Sequence, residues 1–324
     1  MLAVILALLS ALGFGSSDFA AGLATRATSV IRVTILDQAA ALLLIIVIVP
    51  FGGGGGLTAA TAAWSAGAGA AGVTGAMVLY LGFRHAQFSV ASTLSAVGSA
   101  VLSVAAGLLF GEHPGTLALT GIGLAIPAIA AVSASPASTE AAVAVEVVAD
   151  EPAAGAVAAG AVAVGAVVTD EAAAAAVTGR APLGRQASGV GYGVAAGVCF
   201  ALYFIGLDRA GSGRGLWPVL VVQVTALAVA MMVGAVTGQL KLPAPGTRIQ
   251  SAITGVAGIL GTTFFFIASR EGLLAVTAVI TSLYPGSTIL LARILLGERL
   301  SRMRLAGLVL AAGSVALIAI AGSS

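Results

Sequence analysis

Tyr284-Pro285-Gly286-Ser287 leads into an apolar run that closes with Ile294-Leu295-Leu296-Gly297-Glu298-Arg299-Leu300, and a second apolar run follows from Leu305 to Ala321. An apolar helix entered near a Pro-Gly, closed by Gly-Glu-Arg and answered at once by another apolar helix is a membrane hairpin, because so short a turn forces the second helix back antiparallel. The same hairpin is written earlier in the chain. Moving back 186 positions lays Gly111-Glu112 under Gly297-Glu298, Arg84 under Arg270, Gly121 under Gly307 and Phe14 under Phe200. Apolar coincidences are cheap in so apolar a chain, so the weight falls on the charged and glycine pairs. They make the chain two copies of one unit.

Composition agrees with a membrane setting. With 59% hydrophobic residues, 8% charged residues and a mean hydropathy of +1.12, the chain has more apolar surface than a soluble core of 324 residues could hide. Ten windows are long enough to span: Leu2–Leu23, Val30–Val49, Ala62–Phe83, Phe88–Phe110, Thr116–Ser133, Val190–Leu207, Leu216–Val236, Ile249–Ala268, Leu273–Leu296 and Leu305–Ala321. Each approaches the roughly 17–25 residues a helix needs to cross a hydrocarbon core. Their apolar character is continuous rather than alternating, which predicts helices and not barrel strands. The expected fold is all-α integral membrane, ten transmembrane helices arranged as two inverted five-helix repeats. The expected location is a multi-pass protein of the inner or plasma membrane, with the lipid bilayer as its surroundings and no nucleic-acid partner. The first helix starts without a positive n-region, which argues against a cleaved signal peptide. The lone Cys199 lies in an apolar run and reads as a small packing residue.

The units are residues 1–138 and 187–324, joined by an Ala/Val-rich acidic low-complexity segment at 139–186. From 134 to 186 six acids (Glu140, Glu146, Asp150, Glu151, Asp170, Glu171) face only Arg180 and Arg185, a net of −4. The segment reads as a linker, disordered or weakly helical, with an interfacial helix as the other reading. Five helices per unit is an odd number, so two like units in series cross the membrane in opposite directions. Odd-numbered loops hold Arg26, Arg32, Arg84, Arg180, Arg185, Lys241, Arg248, Arg299, Arg302 and Arg304, whereas even-numbered loops hold Arg209, Arg214 and Arg270. The positive-inside rule then puts the odd loops and the linker in the cytoplasm and both termini outside.

The two five-helix units, the Tyr284-Pro285…Gly297-Glu298-Arg299-Leu300 segment, its echo at Gly111-Glu112-His113 and the pattern Gly15-Ser16-Ser17-Asp18-Phe19 together resemble the drug/metabolite transporter superfamily, in its ten-helix EamA-type branch. The resemblance covers nearly everything outside the linker. It implies a secondary transporter, commonly an exporter of metabolites, amino acids or drugs, with the solute held in a central cavity between the repeats. Two departures stand out: Ser99 occupies the place matching Pro285, and His113 the place matching Arg299. The first copy is therefore degenerate, and the geometry of its fourth helix is an open question.

Charges inside a bilayer are costly, so Asp18 and Asp37 are expected to face a cavity or a partner. Either can take up a proton or pair with a cationic group on a solute, which leans the reading toward cationic or zwitterionic solutes and toward proton coupling. The structural rival is an ion pair with Arg32 or Arg84; Asp37 and Arg32 lie five apart on one helix and point to different faces. Gln38 and Gln223 sit at nearly corresponding places of the two units and are candidates for orienting a solute. Tyr203 and Tyr284, with Tyr80 and Trp217, are candidates for aromatic cavity walls, or else for interfacial anchors. Glu112 and Glu298 read as hairpin-turn residues that bond backbone groups or nearby Arg, and Arg293 as a snorkelling side chain. Gly189, Gly193 and Gly197 form a close-approach face, as do Gly107 and Gly111, either between the repeats or across a homodimer interface. His85 and His113 lie at loops without a ligand set around them, so neither a metal nor a cofactor is expected. No clustered acid, base and nucleophile marks an enzyme. The leading expectation is a secondary active transporter, an exporter working by alternating access; the alternatives are a membrane-embedded enzyme or lipid-handling protein using the same cavity, and a non-transporting structural partner.

Overall fold

The computed structural model describes residues 1–54, 57–85, 88–133, 185–211, 215–296 and 301–321. Gly297, Glu298, Arg299 and residues 139–184 of the 139–186 linker lie outside the described residues, while its last two residues, Arg185 and Gln186, open a helix. The described chain is helical throughout: α1 Leu2–Ala27, α2 Val30–Ile48, α3 Ala59–His85, α4 Phe88–Leu109, α5 Thr116–Ser133, α6 Arg185–Arg209, α7 Trp217–Val236, α8 Pro245–Glu271, α9 Leu274–Thr281, α10 Tyr284–Leu296 and α11 Arg302–Ala321. Among the described residues nine segments are long and apolar enough to cross a membrane, α9 and α10 counting together as one. The tenth, α5, is apolar but shorter, with Pro127 inside it.

The burial pattern is that of a protein solvated by lipid. Leu43, Val47, Val236, Ile249, Ile294 and Val309 are exposed, whereas Ser10, Ser65, Ser95, Ser99, Ser103, Ser251 and Ser314 are fully buried. In lipid, apolar side chains gain little by leaving the outer surface, so helices associate through close packing of small residues and through interhelical hydrogen bonds. Ser10 Oγ donates to the Gly261 carbonyl at 2.8 Å, and Ser314 Oγ to the Gly121 carbonyl at 2.7 Å.

Each helix packs chiefly on helices of the other half. The main pairs are α1 with α8, α3 with α6, α5 with α11, α4 with α6, α1 with the broken pair α9 and α10, α3 with α7, α2 with α8, and α2 with α7. Exchanging the halves maps this set onto itself, with α1/α8 becoming α6/α3 and α2/α8 becoming α7/α3. Individual residues obey the same exchange at a shift of 186. A Cβ added to Gly121 would lie 2.7 Å from Ile318, and one added to Gly307 2.9 Å from the Val132 side chain. Likewise Gly261 closes on Phe14 and Gly75 on Phe200. The duplication is thus a property of the packing, and an odd number of spans per copy inverts one against the other.

The halves differ where Pro285 replaces Ser99. The expected single window Leu273–Leu296 is broken into α9 and α10, while α4 runs unbroken from Phe88 to Leu109. Proline lacks an N–H, and its ring clashes with the carbonyl four residues back, that of Thr281, where α9 ends. Tight hydrogen bonds then carry the chain over the break, from Leu283 N to Ile280 O at 3.1 Å and from Gly286 N to Leu283 O at 2.8 Å.

Glu112, at the hairpin turn, bonds backbone groups of the opposite half. Its carboxylate accepts hydrogen bonds from Leu274 N at 2.7 Å and Ala275 N at 2.9 Å, so it caps α9 from the opposite half. Gly111, at φ +86, is the left-handed residue that ends α4 and turns Glu112 toward this task. Of the glycine face on α6, Gly193 meets Leu94 and Ala91, and Gly197 meets Ser95, Leu94 and Gly98, all on α4. This contact lies between the repeats of one chain, as does that of Gly107 with Ala275.

A candidate solute-binding cavity between the repeats

The crossing of α1, α2 and α3 with α6, α7 and α8, closed on one side by Tyr284 of α10, leaves a space of about 770 Å³ including its open mouth. Glycine makes the room. Gly69 and Gly72 on α3 and Gly255 and Gly258 on α8 line the space, and each pair is related by the shift of 186. A side chain at Gly255 would run into the Asp37 backbone, and one at Gly69 into that of Val222, so both approaches require glycine.

All six residues singled out as solute- or proton-binding candidates line this one space: Asp18, Asp37, Gln38, Tyr203, Gln223 and Tyr284. Asp18 is 8% exposed and Asp37 2%. Asp37 Oδ1 and Arg32 Nε are each buried without a hydrogen-bond partner. Gln223 donates to Gln38 across the α2/α7 crossing, to its side-chain oxygen at 2.5 Å and its carbonyl at 3.0 Å. Asp37, rather than Gln38, is the residue that matches Gln223 at a shift of 186, so the first half has a carboxylate where the second has an amide.

The tyrosines are cavity walls and not interfacial anchors. Tyr80, Tyr203 and Tyr284 are all buried, whereas Trp217, at the start of α7, is 39% exposed. The Tyr203 hydroxyl pairs with Thr262 Oγ1 at 2.5 Å, and that of Tyr284 with Ser95 Oγ at 3.2 Å. Phe14 meets the Tyr203 ring edge-on, with centroids 6.4 Å apart, and Tyr203 tilts against Phe204 at 5.5 Å. Phe14, Ser17, Phe200, Phe204, Thr254 and Thr262 were not singled out as cavity residues from the sequence. The matched glycine pairs 69/255, 72/258 and 75/261 carried the signal that could have found their neighbourhood.

Among the described residues no Lys or Arg lines the space. An apolar, aromatic-walled chamber with two carboxylates, two amides and several hydroxyls can hold an organic molecule by its apolar body and orient a positive group within it. Among the described residues no group of His, Cys, Asp and Glu has the arrangement of a metal site.

The fold and the cavity define a polytopic α-helical membrane protein with a chamber between two like halves. Residues 187–320 match the EamA-like transporter family, of the drug/metabolite transporter superfamily. The match falls on the half that carries Pro285 and Gly297-Glu298-Arg299, where the other half has Ser99 and His113. A solved structure, titled only as a crystal structure of a protein, aligns over 96% of this chain and 96% of its own with a TM-score of 0.63 and 14% identity, which is a likeness of fold. No curated protein matches the chain.

Proposed function

We propose that the chain is a secondary active exporter of an organic cation or zwitterion with an apolar body, working by alternating access of its two repeats and driven by proton exchange. The observation that carries this reading is the sign of the chamber: Asp18 and Asp37 are buried in its wall, and among the described residues no basic side chain lines it. A carboxylate held out of water needs a cation or a proton beside it. A site that must release one to accept the other exchanges solute for protons. The rings of Phe14, Tyr80, Phe200, Tyr203, Phe204 and Tyr284 suit an aromatic or aliphatic body. Gln38 and Gln223, bonded to each other across the halves, supply the contact that parts when one repeat rocks against the other. The repeats are residues 1–138 and 187–324 with the 139–186 linker between them, and the protein resides in the plasma membrane.

The test is proton flux in proteoliposomes under an imposed pH gradient. Tyramine, polyamines, amino acids and quaternary ammonium dyes are added in turn to wild type, Asp18→Asn and Asp37→Asn. Solute-triggered proton movement that is lost in either variant is the expected result. Labelled solute that crosses without protons overturns the coupling, and flux of anionic solutes alone overturns the proposed solute class.

A further inference from the structure

A second buried polar feature leaves the chamber along the seam between α4 and the broken ninth span. Ser95, Ser99 and Ser103 stand at intervals of four on α4 and so share one stripe. All three are fully buried, as are Thr281 and Ser282 at the break. Ser95 Oγ pairs with the hydroxyl of Tyr284, which lines the chamber, and Ser99 Oγ, which donates to the Ala96 carbonyl at 3.0 Å, also pairs with Ser282 Oγ at 3.1 Å. One turn further along α4, Ser103 Oγ has no hydrogen-bond partner, and neither has Thr281 Oγ1. The next position of the stripe is Gly107, and the space its missing side chain leaves is filled by Glu112 Oε2. From the chamber outward the order is therefore Tyr284 with Ser95, Ser99 with Ser282, Ser103, then the half-buried carboxylate of Glu112 at the end of α4.

Successive serines on α4 are about 6 Å apart along the axis, four residues at about 1.5 Å each. One water between neighbouring hydroxyls, with two hydrogen bonds of about 2.8 Å, spans that gap. Buried hydroxyls without protein partners are the groups that ordered water satisfies. We propose that this seam is a binding site for a file of water molecules joining the central chamber to the membrane face where α4 ends, and that protons pass along it. Each transfer conserves atoms and charge: an oxygen accepts a proton on a lone pair while its own O–H proton moves to the next oxygen. Bulk water at the Glu112 mouth is one terminus and a chamber carboxylate, Asp18, the other. The break before Pro285 matters here because it places Ser282 in the seam opposite Ser99. The proton clause rests on the exchange reading above; the water clause does not.

The experiment is water-edited solid-state NMR on the full-length protein in lipid with ¹³C-serine, assigned with Ser99→Ala, Ser103→Ala and Ser314→Ala. Ser314 is equally buried and bonded to the Gly121 carbonyl, so it is the dry control. Polarisation from water is expected to reach Ser99 and Ser103 several-fold faster than Ser314; equal rates at all three overturn the site. For protons, tyramine accumulation driven by a pH gradient is compared with tyramine exchange at equal pH, in wild type and Ser103→Val. Loss of driven accumulation with exchange retained supports the route, whereas loss of both or of neither overturns it. Wild type that exchanges tyramine or shows a wet seam without gradient-driven uptake overturns proton exchange itself and leaves the water site standing.

Discussion

At the scale of single residues, the glycines of α3 and α8 show how a backbone contact sets a binding chamber. Gly255 lies so close to the Asp37 carbonyl that a methyl group cannot be accommodated, while Gly67 on α3 has nothing within 4 Å of where its Cβ would stand. Gly255→Ala is expected to destabilise the protein by about 1–3 kcal/mol through overpacking and to displace Asp37, abolishing solute binding. Gly67→Ala is expected to be neutral or stabilising by up to about 1 kcal/mol, since alanine is the better helix former. Unfolding in a mild detergent, followed by circular dichroism, separates the two; similar behaviour of both variants contradicts the proposed contact. Sequence spacing alone could not tell these glycines apart. Both sit in an apolar helix among alanines, and only the crossing partner distinguishes them.

At the scale of elements, the two hairpins differ by one proline. Pro285→Ala returns an N–H to the position facing the Thr281 carbonyl and is expected to join α9 to α10, as Ser99 permits in α4. The variant should unfold at a higher temperature and turn over more slowly, measured as melting point and initial uptake rate. Unchanged turnover would show that the break has no part in transport. Glu112 joins the hairpin of one half to α9 of the other, a charge-assisted cap on two backbone N–H groups. Glu112→Ala leaves both donors exposed to the loss and is expected to cost about 1–2 kcal/mol. Glu112→Gln, which keeps one acceptor oxygen, should cost less, and a melting series of the two variants checks the order.

At the scale of the whole molecule, the packing pairs each helix with the opposite half, so some crossings must stay fixed while others part. The α5/α11 crossing is held by Gly121, Gly307 and the Ser314 hydrogen bond, far from the chamber lining. In a variant lacking Cys199, a disulfide between Gly121→Cys and Ile318→Cys is expected to leave transport intact. One between Gln38→Cys and Gln223→Cys is expected to stop it, with recovery on reduction. Transport that survives the second cross-link contradicts alternating access at this crossing. The loop charges add a further outcome: a reporter active only in the cytoplasm should be silent when fused after Ser324 and active when inserted in the linker.

The membrane character, the approximate spans and the duplication were legible in the amino-acid sequence, because apolar length is local and the matched pairs, such as Gly121 with Gly307, recur at one fixed shift. Asp18 and Asp37 were legible as well, since a carboxylate in an apolar run is costly wherever the run ends up. Tertiary structure alone decided what those residues meet. It turned the tyrosines inward, aimed Glu112 at the start of α9, set Gly255 on the Asp37 carbonyl and aligned Ser99 with Ser282. Each of these depends on which helices of opposite halves cross and at what height. In lipid that choice is made by close packing of small residues and by interhelical hydrogen bonds, and the sequence marks the small residues without naming the helix each one meets.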